Sequence, residues 1–369
     1  MHAERWRVGL LGWALLGASI GGRADTAASV EVGTRDGAAY RIDVPANWNR
    51  ELVVYYHGYS ITPVTFAAGE PPSPMFAPLL RAGYAVVQSG YSATGWAVAE
   101  ADADTEKLRR DFVAWHGAPR RSYAMGMSMG GTLTVLTIER RPNVYNGALA
   151  LCGAIEPSDH ALQRLFALRA AFDHYVPDLL GPLVPVPADY RADAATERRI
   201  AAALAARPDA RQALLRWYGA ADADNLAPVI AFGSYVIGEL QRRAHGNPFA
   251  NADLVYLGSG DDAALDAGVR RYRADPAAAA YLARWYTPSG RLTRPLLALH
   301  DSGDPLVPAS GAAEYALLAQ RAGHADNFVL QYIDREGHCV FTPEEIGRAF
   351  DALVAWVASG RRPADGKVP

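Results

Sequence analysis

One short segment of the sequence, YAMGMSMGG at residues 123–131, contains the pattern G-x-S-x-G with Ser128 at its centre. A serine in this pattern acts as a nucleophile when a strand leads into the turn and a helix leads out of it, because its hydroxyl then stands above the edge of a sheet. The apolar SYAM precedes the turn, and GTLTVLTIER follows it with the composition of a helix. This setting predicts that Ser128 is a nucleophile, which requires a base and an acid to orient that base.

The candidate acid follows a later apolar segment. PLLAL at residues 295–299 leads into HDSGDPLVP, which contains two aspartates, Asp301 and Asp304. The acid of such a site belongs in the loop at the carboxyl end of a strand, and Asp304 is preferred because its D-P-x-V-P continuation starts the next helix. Asp301 is the alternative.

The candidate base is His338. It follows the last long apolar segment, FVLQYI at residues 328–333, on a glycine-containing loop, and it precedes the last predicted helix. His300 and His324 are the rivals, in less suitable positions. The order Ser128, Asp304, His338 along the chain is the nucleophile–acid–base order that accompanies a G-x-S-x-G turn in an α/β sheet.

Short apolar segments of strand length alternate with helical segments in the first and last parts of the chain. The predicted strands are 29–34, 39–44, 51–56, 84–88, 122–125, 146–151, 295–299 and 328–333, and the predicted helices among them are 105–115, 130–140, 312–321 and 343–358. Strands that are apolar throughout are typical of a parallel sheet covered on both faces. The alternation predicts an α/β fold with a doubly wound, mostly parallel sheet.

The alternation stops between residues 156 and 291, where no strand is predicted. Alanine- and arginine-rich helical segments occupy this region, at 159–174, 196–206, 208–218, 225–245, 261–273 and 276–285. Because the sheet pattern resumes afterwards, we expect a helical cap inserted into one domain, whose core is 25–155 and 292–369. A separate helical domain is the alternative.

Residues 1–24 are predicted to be a secretory signal peptide. Two arginines are followed by an apolar segment rich in small residues and then by Gly22-Arg23-Ala24, a suitable cleavage site. The formal net charge of −3, without runs of like charge, argues against a nucleic-acid partner. We expect a periplasmic or secreted protein without stable membrane association after cleavage, and a retained signal anchor is the alternative.

The segments GMSMGG, HDSGDPLVP and EGHC, with HGYS at residues 57–60, resemble the α/β-hydrolase superfamily over about residues 30–155 and 292–360. The HGYS segment departs from the HGGG pattern of one lipase branch. The resemblance implies an oxyanion hole formed by the backbone N–H groups of Met129 and Tyr59, and we expect His57 to brace that loop rather than act as a catalyst. The sequence contains no metal-ligand cluster, phosphate loop or dinucleotide signature, so neither a metal nor another cofactor is expected.

The chain has two cysteines, Cys152 and Cys339. In the α/β-hydrolase fold, the end of the strand after the nucleophile helix and the loop of the base are close neighbours on the active-site side. The resemblance therefore implies a Cys152–Cys339 disulfide that fixes the loop of His338, in keeping with an oxidising compartment.

The expected activity is that of an exported serine hydrolase that cleaves carboxylic esters through an acyl-enzyme, on a small-molecule or polymer-attached substrate. Tyr91 and Trp96, in loops after early strands, are candidates for binding an aromatic or plant-derived group, as a feruloyl esterase would. A serine peptidase or amidase that uses the same three residues is the main alternative. A non-catalytic binding protein of the same fold is a further one.

Overall fold

The computed structural model describes residues 28–219 and 226–369. The predicted signal peptide, residues 1–24, lies outside the described residues. The chain forms two compact units: one holds the described residues up to Ile155 together with Pro288–Pro369, and the other is Glu156–Thr287. Within the described ranges, none of the helices combines the length and the hydropathy that a bilayer crossing requires.

The first unit contains a nine-stranded sheet. Its strands are β1 (Ser29–Arg35), β2 (Ala38–Val44), β3 (Glu51–Tyr56), β4 (Ala85–Ser89), β5 (Arg121–Met127), β6 (Gly147–Leu151), β7 (Leu296–Gly303), β8 (Phe328–Glu336) and β9 (Gly366–Lys367). They lie in the order β1-β2-β4-β3-β5-β6-β7-β8-β9. Strand β2 is antiparallel to both of its neighbours, and the other adjacent pairs are parallel.

The α-helices of the two units are numbered in the order in which they occur along the chain. They are α1 (Ala77–Arg81), α2 (Val98–His116), α3 (Met129–Arg140), α4 (Ser158–Tyr175), α5 (Ala194–Ala205), α6 (Pro208–Tyr218), α7 (Leu226–Arg243), α8 (Asp262–Gly268), α9 (Pro276–Tyr286), α10 (Ala309–Arg321) and α11 (Pro343–Ser359). Helices α4 to α9 make up the second unit, in which the described residues contain no strand.

The central strands are buried on both faces, as a sheet covered by helices requires. Every residue of β3, β4 and β6 is buried. On one face, α11 contributes Phe350, whose ring packs edge-on against Tyr84 and Tyr123 at centroid distances of 5.0 and 5.3 Å. On the other face, Thr137 of α3 donates a hydrogen bond to the Tyr56 hydroxyl at 3.0 Å. The predicted doubly wound, mostly parallel sheet is confirmed.

Helix α2 begins at Val98, seven residues before the start predicted from the sequence. The apolar period is hidden there because the first turns bury a carboxylate, that of Asp102, together with Val98 and Ala101. Arg141 compensates this burial by donating two hydrogen bonds of 2.7 Å to Asp102. An aspartate whose buried charge is satisfied by two donors is still a polar residue in the sequence. The apolar pattern that predicts a helix therefore misses the first turns of α2.

Helix α8 ends at Gly268, although the sequence favoured a helix up to residue 273. The residues that follow leave the helix because Asn251 holds their backbone. Its side-chain oxygen accepts the N–H of Tyr272 at 2.6 Å, and its own N–H donates to the Tyr272 carbonyl at 3.1 Å. These long-range bonds outweigh local helix propensity.

The second unit has its own core, which includes a fully buried guanidinium. Arg169 of α4 donates to Asp173 at 2.8 Å, to the Ser234 hydroxyl of α7 at 3.2 Å and to the Gly181 carbonyl at 2.6 Å. A buried charge with several good acceptors is tolerated, and the loss of one of them is costly. Arg169 therefore joins α4 to α7 and to the segment between α4 and α5.

Helix α11 starts with a capping box. The Thr342 hydroxyl accepts the N–H of Glu345 at 3.2 Å, and the Glu345 carboxylate accepts the N–H of Thr342 at 2.7 Å. We expect Thr342→Ala to lower the free energy of unfolding by about 1 kcal/mol, because the N–H of Glu345 loses its side-chain acceptor. Denaturant unfolding measures the change, and Thr342→Ser, which keeps the hydroxyl, is the control. Equal stability of the alanine and serine variants would contradict the assigned cap.

Candidate active site

Three side chains form a continuous hydrogen-bonded chain at the carboxyl edge of the sheet. The Ser128 hydroxyl lies 2.8 Å from Nε2 of His338, and Nδ1 of His338 lies 2.6 Å from Oδ2 of Asp304. The carboxylate can only accept, so Nδ1 carries the proton of the neutral ring and Nε2 presents its lone pair to the serine. The structure thus brings the predicted nucleophile, base and acid together in the order that proton transfer requires.

Ser128 connects β5 to α3 through a strained turn. Its φ of 57° and ψ of −122° belong to a region that residues with a side chain rarely occupy. The turn depends on two glycines: a Cβ on Gly126 would clash with the Gly130 carbonyl, and one on Gly130 would clash with the Tyr56 carbonyl. Only residues without a side chain let the start of α3 approach β3 and β5 this closely.

Asp304 follows β7 directly, and its side chain is completely buried. Its second oxygen, Oδ1, accepts the N–H groups of Leu306 and Val307 at 2.9 and 2.8 Å. These two bonds fix the carboxylate so that Oδ2 faces His338.

The rival acid, Asp301, is buried within β7 and has a different partner. Its Oδ2 accepts the N–H of Val340 at 3.2 Å, two residues beyond His338. Burial raises the pKa of Asp301. The side chain therefore anchors the loop of the base and makes no hydrogen bond to the base itself.

The two rival bases make other contacts, although Nε2 of His300 lies 3.8 Å from Oδ2 of Asp304. His300 is buried in β7, and its Nε2 donates to the Val307 carbonyl at 2.7 Å, while burial lowers its pKa and favours the neutral ring. His324 lies in the connection between α10 and β8, at the opposite end of β8 from His338. Neither occupies the position between Ser128 and Asp304.

A disulfide joins Cys152, the first residue after β6, to Cys339, the neighbour of His338. Both cysteines have positive φ, 43° and 59°, so the bond links two unusual backbone segments. The Cys339 sulfur lies 3.3 Å from Nε2 of His338. The two sulfurs and this nitrogen are the candidate metal ligands among the described residues, but the sulfurs are occupied by the bond between them.

The two predicted oxyanion donors belong to segments beside Ser128. Met129 is the first residue of α3, and an N–H in this position has no acceptor within its own helix. Tyr59 lies in the loop after β3, and its ring is 5.9 Å from that of Trp96. The preceding residue, Gly58, borders the nucleophile so closely that an added Cβ would lie 3.3 Å from Cβ of Ser128.

The two predicted substrate residues differ in exposure. Trp96 is half-buried beside Tyr59, whereas Tyr91 is only 4% exposed and its ring stacks on His57 at a centroid distance of 3.8 Å. Tyr91 therefore packs against His57 and offers almost no surface to a substrate. Nothing in the sequence signals this arrangement, because it depends on a positive φ at Tyr91, 57°, where a tyrosine is unexpected.

No protein-family model matches the sequence, and no curated protein does. Solved structures with similar chains include feruloyl esterase B from Aspergillus oryzae, with 14% identity, a TM-score of 0.48 and coverage of 91% of this chain and 81% of that one. Acylaminoacyl peptidase from Pyrococcus horikoshii has 10% identity, a TM-score of 0.45 and coverage of 96% and 41%. An esterase from Pyrococcus furiosus has 15% identity, a TM-score of 0.43 and coverage of 89% and 88%. The chain spans less than half the length of several of the solved structures it matches, at 36%, 41% and 40%.

The choice between the two aspartates can be measured through the reactivity of Ser128. We expect Asp304→Asn to slow covalent labelling of Ser128 by an alkyl fluorophosphonate about 10³- to 10⁴-fold, because the amide can no longer hold the reactive tautomer of His338. Asp301→Asn retains an oxygen for the Val340 N–H and should have a far smaller effect. Ser128→Ala is the unlabelled control, and the reverse ranking of the two aspartate variants would overturn the assignment.

The disulfide can be tested by removing both sulfurs. We expect Cys152→Ala/Cys339→Ala to lower the free energy of unfolding by about 2–4 kcal/mol, and to slow labelling of Ser128 at temperatures where the protein stays folded, since His338 loses its adjacent anchor. Denaturant unfolding without reductant and labelling rates measure the two effects. Wild type treated with a dithiol reductant should approach the variant, and unchanged labelling would show that the bond does not position His338.

Proposed function

The chain has the α/β-hydrolase fold, and from this premise we propose that it is a serine hydrolase that cleaves carboxylic esters. The observation that carries the proposal is the unbroken Asp304–His338–Ser128 chain, with contacts of 2.6 and 2.8 Å, at a serine in a strained strand-to-helix turn. A serine that only shaped a glycine-rich turn would need neither a base facing its hydroxyl nor a buried acid behind that base.

Acylation uses the three side chains in sequence. Nε2 of His338 takes the proton of Ser128 as the serine oxygen attacks the ester carbonyl carbon, and Asp304 stabilises the imidazolium that forms. The N–H groups of Met129 and Tyr59 hold the developing oxyanion. The tetrahedral intermediate collapses as His338 gives its proton to the departing alcohol, which leaves the acyl group on Ser128.

Deacylation repeats the same steps with water. His338 takes a proton from the water molecule as it attacks the acyl carbon, and returns the proton to Ser128 as the acid product departs. No step needs a group beyond these residues. The buried Asp304 carboxylate meets the charge of the imidazolium, and the two N–H groups meet the charge of the oxyanion. Such electrostatic stabilisation is usually the largest contribution that sites of this kind make to rate.

The substrate we propose is a small-molecule or polymer-attached ester with an aromatic or plant-derived group. The support is the pair of half-buried aromatic rings, Tyr59 and Trp96, beside the segment that borders Ser128. A planar aromatic group would pack against such rings. The same three side chains can also catalyse the hydrolysis of amides. A peptidase or amidase is therefore the alternative function that the experiment must distinguish from an esterase.

We also propose that the mature chain acts outside the cytoplasm, in the periplasm or the medium, after removal of residues 1–24. The Cys152–Cys339 disulfide supports this location, because such bonds persist in oxidising compartments.

The test is a hydrolysis screen of the purified mature protein. It pairs p-nitrophenyl esters of short and long chain and methyl ferulate with aminoacyl and prolyl anilides, and Ser128→Ala is the matched control. We expect ester turnover that exceeds anilide turnover and is abolished in Ser128→Ala. Dominant anilide turnover would make the protein a peptidase or amidase. A folded wild type that is neither active nor labelled by a fluorophosphonate would exclude catalysis and favour a binding protein.

A further inference from the structure

The side chain of His57 contacts the backbone of the next residue. Its Nδ1 lies 2.6 Å from the carbonyl oxygen of Gly58. A carbonyl oxygen only accepts, so Nδ1 must carry a proton and donate it. Burial lowers the pKa of His57 and so favours the neutral ring, although the nearby carbonyls of Gly58 and Gly90 raise it. The tautomer is therefore set by the Gly58 carbonyl.

The ring that makes this bond is held by Tyr91. The two rings stack with their planes 21° apart at a centroid distance of 3.8 Å, and the Tyr91 hydroxyl donates to the His57 carbonyl at 3.1 Å. Tyr91 is fixed in turn, because its N–H donates to the Ser89 hydroxyl at 3.2 Å and its ring is buried. The stack fixes the plane of the imidazole, and the hydrogen bond to Gly58 fixes which edge of the ring faces that carbonyl.

The Gly58 carbonyl and the Tyr59 N–H belong to the same peptide group. A trans peptide is planar, and its C=O and N–H point in opposite directions. When His57 holds the carbonyl, it also fixes the direction of the Tyr59 N–H, which points away from the imidazole. The chain is held on the far side of Tyr59 as well, since the Ser60 carbonyl accepts the N–H of Gly95 at 2.7 Å.

This peptide group lies beside the nucleophile. A Cβ added to Gly58 would be 3.3 Å from Cβ and 3.9 Å from Oγ of Ser128. A hydrogen bond to its carbonyl also polarises the amide, and makes the N–H a stronger donor. The bond from His57 thus acts on both the direction and the strength of a donor next to the reacting oxygen.

We propose that His57 is a positioning residue for the oxyanion: it orients and polarises the Gly58–Tyr59 peptide so that the Tyr59 N–H is already aimed when the tetrahedral intermediate forms. This inference rests on the proposed function, because it assigns His57 a part in ester hydrolysis at Ser128. The effect belongs to the transition state, since the charge that the N–H meets develops only there.

A matched pair of variants isolates the hydrogen bond. His57→Asn and His57→Leu have nearly equal size, but only asparagine has an amide donor near the position of Nδ1. His57→Phe adds a variant that keeps the stack on Tyr91 and loses the donor. The measurements are kcat and KM for the best p-nitrophenyl ester, the inhibition constant of an alkyl boronic acid that forms a tetrahedral adduct, and thermal unfolding.

We expect His57→Leu and His57→Phe to lower kcat about 10- to 100-fold with little change in KM, somewhat less than the loss of a whole oxyanion donor. Boronic acid affinity should fall in parallel, and His57→Asn should recover most of both losses. Leucine and asparagine variants with equal kcat, or losses that follow the unfolding temperature and spare boronic acid binding, would overturn the proposal. Active wild type with an unaffected His57→Leu would refute only the role of His57, whereas wild type without turnover or fluorophosphonate labelling would refute the proposed function as well.

Discussion

The backbone of Ser128 is the constraint on which the site depends. A residue with a side chain at positive φ costs roughly 1–3 kcal/mol and persists only where its surroundings impose it. Here they do so through close contact: Gly126 and Gly130 let β3, β5 and α3 approach until no other residue would fit. The N–H of Ser128 is also bound to the Leu151 carbonyl of β6 at 2.9 Å. The serine is held at the sheet edge by three strands and one helix.

The loop of His338 is held by a second set of contacts, which come from separate parts of the first unit. Cys339 is bonded to the end of β6, and the N–H of Val340 is bonded to Asp301 in β7. The Val340 carbonyl accepts from Arg335 at 2.6 Å, and Arg335 also pairs with Glu345 of the α11 cap at 2.8 Å. In its proposed role as the base, His338 has to stay within hydrogen-bond reach of both Ser128 and Asp304, and a small displacement would cost much of the rate.

The sequence was sufficient to predict the structure where the fold and the site require a recognisable local pattern of residues. The apolar strands, the turn at Ser128 and the helix after it follow from residue types within a dozen positions, so the sheet could be predicted. It was insufficient where a residue distant in the chain determines the local structure. Asp102 is buried in the first turns of α2 because Arg141 forms hydrogen bonds with it. Helix α8 ends at Gly268 because Asn251 forms hydrogen bonds with the backbone of Tyr272. The stack of Tyr91 on His57 belongs to the same class, since two loops that are far apart in the chain create it.

The disulfide has a topological consequence as well as a local one. Its two cysteines are 187 residues apart, and the chain between them includes all of Glu156–Thr287. The bond therefore turns that stretch into a covalent ring, from which only the two terminal segments emerge. A single cut by a protease anywhere within the ring leaves one molecule, whose two pieces separate only after reduction. Damage to the second unit thus cannot release the strand and loop that carry His338 from the sheet that carries Ser128.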